Sequence, residues 1–234
     1  TYACYLWKQQ TKYFSALQLN ITKNIIAFII FSPVILTLDL QSSFKEILIL
    51  FLSGIIGISL GDTFYIASLE KLGTRRTLTV EALSPIIATL LGSFFLKEAL
   101  SFKTYSGIFI VTISLVGVAL QKTINNKYIT SKINKKKGFI FAFCSVLCAV
   151  TAASLSRLVL INSDLNPLQT TEIRLLGSII VLLPFVRNNL LNSMRKIPVK
   201  SKFSFLQATF LGTNIGILLQ QNVFRLLPIG LGWT

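Results

Sequence analysis

Residues 16–33, ALQLNITKNIIAFIIFSP, are answered by residues 167–184, PLQTTEIRLLGSIIVLLP. Leu17-Gln18, Lys23 and Pro33 in the first stretch correspond to Leu168-Gln169, Arg174 and Pro184 in the second, 151 residues later. A second correspondence follows: Gly57-x-x-x-Gly61 returns as Gly212-x-x-x-Gly216, 155 residues later, and the four extra residues fall in the polar stretch 187–202. Self-similarity at a fixed distance marks a duplicated unit. If each unit holds an odd number of membrane spans, the second copy must lie upside down relative to the first, which is how alternating-access transporters are built.

The composition agrees with a membrane setting. Hydrophobic residues make up 53% of the chain and charged residues 13%, about half the charge of a soluble domain, and the mean hydropathy is +0.69. The net charge of +15 does not point to nucleic acid, because the Lys and Arg residues sit between apolar runs and not along one face. Histidine is absent, which removes the commonest metal ligand and the side chain best suited to proton transfer near neutral pH. Cys4, Cys144 and Cys148 form no ligand set and read as small buried apolar residues. No nucleophile–base pair, phosphate loop or cofactor fingerprint is present, so neither an enzyme nor an ATP-driven pump is expected. The chain starts without Met and stops at Trp233-Thr234 inside an apolar stretch. It is therefore read as a fragment with its first and last spans cut.

A crossing helix needs about 20 largely apolar residues. Residues 1–12 read as the tail of one span, followed by spans within 13–38, 47–69, 77–96 and 104–120; after a basic link come 138–161, 168–186 and 203–224, and a last span begins near Pro228. Run lengths exclude strands. The expected fold is all-α and integral to the membrane, an inverted repeat of two five-helix bundles. Residues 1–121 form the first unit, 122–137 a basic polar linker and 138–234 the second unit. Of the Lys and Arg residues, 17 fall on the side of the linker and 6 on the other, a bias that places the linker in the cytoplasm.

Asp62 is the first candidate for a site. It lies four residues past the centre of its 47–69 span, about 6 Å along the axis. An ionised carboxylate at that depth has to face water or a partner. Its counterpart in the repeat is Ile217, so the duplication does not require it. Tyr65, one turn on, is placed to donate to it or to a substrate. Ser59 and the equivalent Asn214, with Gln221 two turns further along, are expected to form a polar stripe lining the same site; hydrogen bonding between helices is the competing use. Glu81 is expected to pair with Arg75 or Arg76, and Tyr2 and Tyr5 either line the cavity or sit in an aromatic belt. Gly57, Gly61, Gly212 and Gly216 are read as sites of close helix approach, and Pro33, Pro85 and Pro184 as bends.

Residues 84–118, SPIIATLLGSFFLKEALSFKTYSGIFIVTISLVGV, resemble the end of the EamA domain of the drug/metabolite transporter superfamily. In that family a Pro in the fourth span is followed by a terminal (G/K)E and a fifth span with two glycines, positions that correspond to Pro85, Glu98, Gly107 and Gly117. Lys23 and Arg174, opening the second span of each unit, and the glycines of the third add to the resemblance. Arg75, Arg76 and Glu81 depart from it, because the family is usually uncharged there. The resemblance implies ten helices in two inverted halves that export or exchange small metabolites or drugs in the lipid bilayer. Protons or a counter-solute would supply the energy, no cofactor would be needed, and a bacterial inner membrane is the expected location. It also implies that both termini are cytoplasmic, which would put the linker outside, against the charge bias. A sugar-nucleotide or phosphosugar exchanger of the same superfamily is the nearest alternative. It would need cations at mid-depth, whereas Lys23 and Arg157 are read as lying near span ends. A membrane enzyme and a non-transporting scaffold are more distant alternatives.

Overall fold

The computed structural model describes residues 2–38, 44–98, 100–120, 132–186 and 198–234, and all of their regular secondary structure is helical. The first half runs α1 (Tyr2–Gln10), α2 (Ala16–Phe31, extended by a 3-10 turn at Ser32–Thr37) and a long rod. The rod consists of α3 (Phe44–Gly54), a π-helical stretch (Ile55–Gly61) and α4 (Asp62–Leu72). Then come α5 (Thr74–Glu81), α6 (Ser84–Phe95) and α7 (Phe102–Leu120). The second half runs α8 (Lys132–Asn162), α9 (Pro167–Val186) and a second rod of α10 (Val199–Thr209), a π-helical stretch (Phe210–Ile215) and α11 (Gly216–Leu226), ending in α12 (Ile229–Gly232). Among the described residues, five segments are long and apolar enough to cross a membrane: Ala16–Thr37, Phe44–Leu72, Thr74–Phe95, Lys135–Asn162 and Pro167–Phe185. The fold is an all-α membrane fold.

The repeated Leu-Gln begins a helix by the same device in both halves. The Ser15 hydroxyl accepts from Gln18 N–H at 3.3 Å while Gln18 Oε1 accepts from Ser15 N–H at 3.1 Å. At the matching position, Asn166 Oδ1 accepts from Gln169 N–H at 2.8 Å and Gln169 Oε1 from Asn166 N–H at 2.9 Å. Each is a reciprocal cap that satisfies two otherwise orphaned donors and is worth about 1 kcal/mol. Lys23 and Arg174 each follow their cap by eight residues, about 12 Å into the helix. The basic residue is therefore two turns deep in both halves. Lys23, read from hydropathy as lying near a span end, is 4% exposed and inside the bundle.

The glycine motifs fall within or just past the two π stretches. Ser53, Gly57 and Gly61 form a small-residue stripe against α8: Ser53 Oγ donates to Ala152 O at 2.7 Å. A Cβ built on Gly57 would meet Ala152 Cβ at 2.6 Å, and one on Gly61 would meet Cys148 Cβ at 3.3 Å. Gly212 instead packs on α1, where a Cβ would meet Ala3 at 3.0 Å and Trp7 at 3.2 Å; one on Gly216 would meet only its own rod, the Leu211 carbonyl at 3.4 Å. Thus the rod of each half leans on the first helix of the other half. The tightest backbone approach is at Gly54, which sits on the Arg174 backbone between α3 and α9, a position the glycine motif does not include. Gly107 and Gly117 have nothing within 4 Å of a built Cβ and mark no close contact.

The three prolines expected at bends occupy different kinds of position. Pro85 occupies the first turn of α6, where its missing N–H costs nothing, and the interruption of that span lies just before it, between Glu81 and Ser84. Pro33 stands at the start of the 3-10 turn, and only Pro184 is inside a helix. A single residue, Gly73 at φ 80°, joins α4 to α5, a backbone conformation that residues with a Cβ rarely adopt. Residues 132–137, the expected end of the linker, form the first turns of α8, and the rest of that linker lies outside the described residues.

Inside the bundle, Trp7, Phe14, Leu19, Ile66, Leu69 and Phe205 pack α1, α2, α4 and α10 together, with Trp7 edge-on to Phe205 at 5.7 Å. Large apolar side chains such as Leu36, Phe94, Phe102 and Leu226 point outward, as they do where lipid is the solvent.

Candidate functional site

The helix α2 holds the centre of the molecule through three polar links. Asn20 Nδ2 donates to Ile58 O at 2.7 Å, Ser59 O at 3.1 Å and Thr63 Oγ1 at 2.9 Å, satisfying carbonyls in the first π stretch, where the helical hydrogen-bond ladder changes register. Asn24 Nδ2 donates to Ser178 Oγ on α9 at 2.8 Å, and Ala27 O accepts from Asn214 Nδ2, in the second π stretch, at 3.0 Å.

Beside this seam lies a cavity of about 340 Å³. Its walls come from α1 (Cys4, Trp7), α2 (Lys23), the first rod (Gly57, Asp62, Tyr65), Glu81, α8 (Ser145, Ala149), α9 (Arg174) and the second rod (Thr213, Gly216, Gln220), with Trp233 at one side. Four side chains of the charged types thus share the cavity, two basic and two acidic. Lys23 Nζ is committed: it pairs with Asp62 Oδ2 at 2.5 Å and donates to Asn24 Oδ1 at 2.9 Å. Glu81 Oε1 accepts from Ser145 Oγ at 3.2 Å. Arg174 is 4% exposed, and its Nε and Nη1 have no hydrogen-bond partner.

The expected site residues divide into two groups. Asp62, Tyr65 and Glu81 line the cavity. Tyr65 donates to Cys4 Sγ at 2.8 Å, and Ser145 is the hydrogen-bond partner found for Glu81, on a different helix from the arginines expected to pair with it. Ser59, Asn214 and Gln221 do not form the expected stripe. All three lie off the cavity wall: Ser59 is buried with a free hydroxyl, Asn214 Nδ2 donates to Ala27 O, and Gln221 Oε1 accepts from Ser156 and Thr170, leaving Asn214 Oδ1 and Gln221 Nε2 without a partner. The π turns rotate the residues that follow, so a face drawn at 3.6 residues per turn is lost across them. Tyr2 and Tyr5 are more than half exposed on the outside of α1. Sequence reasoning missed Lys23 and Arg174 as wall residues, although their equal distance from the two caps was readable. It also missed Trp7 and Trp233, for which nothing in the sequence gave a signal.

A second ionic centre lies apart from this cavity. Arg157 Nε pairs with Glu98 Oε1, Arg157 Nη1 donates to Phe224 O, and Glu98 Oε2 accepts from Ile229 N–H at 3.0 Å. The expected helix-end role of Glu98 therefore acts at long range, capping α12 and holding α8. Glu172, on α9, is fully buried and neither carboxylate oxygen has a hydrogen-bond partner.

The family model described as the EamA-like transporter family matches residues 3–120. No match is found among curated proteins. The matched half carries α1 to α7 and, with them, Lys23, Asp62 and Glu81 of the cavity wall; the chain belongs to the EamA-like transporter family.

Proposed function

We propose that this transporter binds its small solute in the cavity between α1, α2, α9 and the two rods and moves it by alternating access. The energy comes from a gradient of protons or of a counter-solute. The observation that carries the reading is the cavity itself: a partly open space with charged walls among the long apolar helices, to which both halves contribute. A Lys–Asp pair on its wall, with Lys23 buried and Asp62 open to the cavity, is a costly feature in a membrane span and fits a group that exchanges partners or a proton during the cycle. The halves are read as inverted copies, 1–121 and 138–234. The matching caps, the matching π stretches and the leaning of each rod on the other half's first helix support that reading, and rocking of one composite body against the other would expose the cavity alternately.

The test uses the protein in proteoliposomes with a solute found by screening a metabolite panel on its tryptophan fluorescence. Asp62→Asn should abolish accumulation against a gradient while sparing downhill exchange. Lys23→Met/Asp62→Asn, which leaves no unpaired charge, should behave in the same way. Accumulation equal to wild type in both variants would remove Asp62 from energy coupling. The phosphosugar alternative gains one observation, that Lys23 and Arg174 line the cavity, but Asp62 already neutralises Lys23.

A further inference from the structure

Among the described residues of the cavity wall, Arg174 is the cation with no acidic partner, and its Nε and Nη1 are buried without a hydrogen bond. Its counterpart Lys23, at the same distance from its own cap, is paired with Asp62 and Asn24. Arg174 is held in place by its backbone, pressed against Gly54, and a Cβ at Gly57 would come within 3.2 Å of its Nη2. The two glycines thus seat the helix and leave room for the guanidinium. Buried donors normally find partners, and a planar guanidinium matches a carboxylate through two parallel hydrogen bonds.

Charge decides which anion fits. Lys23 and Asp62 neutralise each other, so with Glu81 in its uncharged acid form, hydrogen-bonded by Ser145, Arg174 can compensate one negative charge, and a dianion would leave an excess beside Asp62. Trp7, Ile58, Ile66, Ile217 and Trp233 give the remaining wall an apolar side, beside the polar Tyr65, Thr213 and Gln220. Resting on the reading that this cavity is the transport site, we propose that Arg174 is its anion receptor and that the substrate is a monocarboxylate with a small apolar body.

Trp7 and Trp233 are the chain's two tryptophans and both line the cavity, so intrinsic fluorescence reports binding independently of transport. The experiment titrates the protein in lipid nanodiscs with benzoate, its neutral isostere benzamide, and the dianion phenyl phosphate. Benzoate should give a saturable change and bind at least about tenfold more tightly than either comparator, in line with the charge assistance of a bidentate pair. Arg174→Gln should erase that preference. Arg174→Lys, which keeps the charge and the packing stem, should weaken benzoate about tenfold through loss of the fork, and it serves as the readout if the Gln variant does not fold. Equal binding of benzamide and benzoate would overturn the proposal while leaving the cavity as a solute site. Tighter binding of phenyl phosphate would overturn it in favour of phosphate esters. Benzoate binding unchanged in Arg174→Lys and Arg174→Gln, or silence with all three probes, would also overturn it.

Discussion

Gly54→Ala should loosen the contact that seats Arg174. A Cβ at Gly54 lies 2.7 Å from both Cα and the carbonyl carbon of Arg174, whereas carbon atoms pack at about 3.5–4.0 Å. The helices α3 and α9 must therefore separate by about 1 Å. Sliding does not relieve the clash, because Gly177 on α9 is also close: a Cβ there would meet Phe51 O at 2.6 Å and Phe51 Cα at 3.2 Å. Overpacking of this kind costs about 1–3 kcal/mol, and for a chain of this size that lowers Tm by about 2–4 °C per kcal/mol. Thermal unfolding of the purified protein in nanodiscs, followed by tryptophan emission, reads the shift. Gly107→Ala is the internal control: with nothing within 4 Å of its Cβ, the change should be neutral or gain up to about 1 kcal/mol of helix propensity. If Gly54→Ala melts together with Gly107→Ala, the inference that α3 and α9 meet backbone to backbone is wrong.

Three further outcomes are expected by the same assay. Glu98→Gln leaves Arg157 buried without its counter-charge and should cost about 3–5 kcal/mol; a loss under about 1 kcal/mol would mean the α6–α8–α12 junction does not depend on the pair. Asp62→Asn should destabilise by about 1–3 kcal/mol, less than a fully buried pair because Asp62 opens on the cavity, and adding Lys23→Met should restore most of it. Equal melting of the single and double variants would show that the pair is not coupled. Glu172→Met removes two buried oxygens that have no partners and should stabilise by about 1–3 kcal/mol; a lower Tm would reveal a partner for that carboxylate.

Span positions were legible because lipid permits only long apolar runs, and the runs at 47–69, 138–161 and 203–224 fall inside the helical segments found there. What hydropathy misjudged was depth. It begins a span where charge ends, whereas α2 begins at its Ser15 cap, so Lys23 was read as peripheral although it is two turns inside. Asp62 was identifiable because a lone acid in an apolar run has few explanations. Asn214 and Gln221 were misplaced because a change of helical register inside a rod leaves no compositional mark. Lining residues such as Trp7 and Trp233 depend on which helices meet, and neither periodicity nor spacing encodes that.

The leaning of each rod on the first helix of the opposite half has a consequence for how the chain is assembled. Neither half can complete its own packing: the small-residue face Ser53-Gly57-Gly61 awaits α8, and Gly212 awaits α1. During synthesis the first rod is therefore laid down before the surface it docks on exists, and α1 waits for a rod made only after α2 to α9. The bundle closes like two clasped hands, whose grip forms only when both are present.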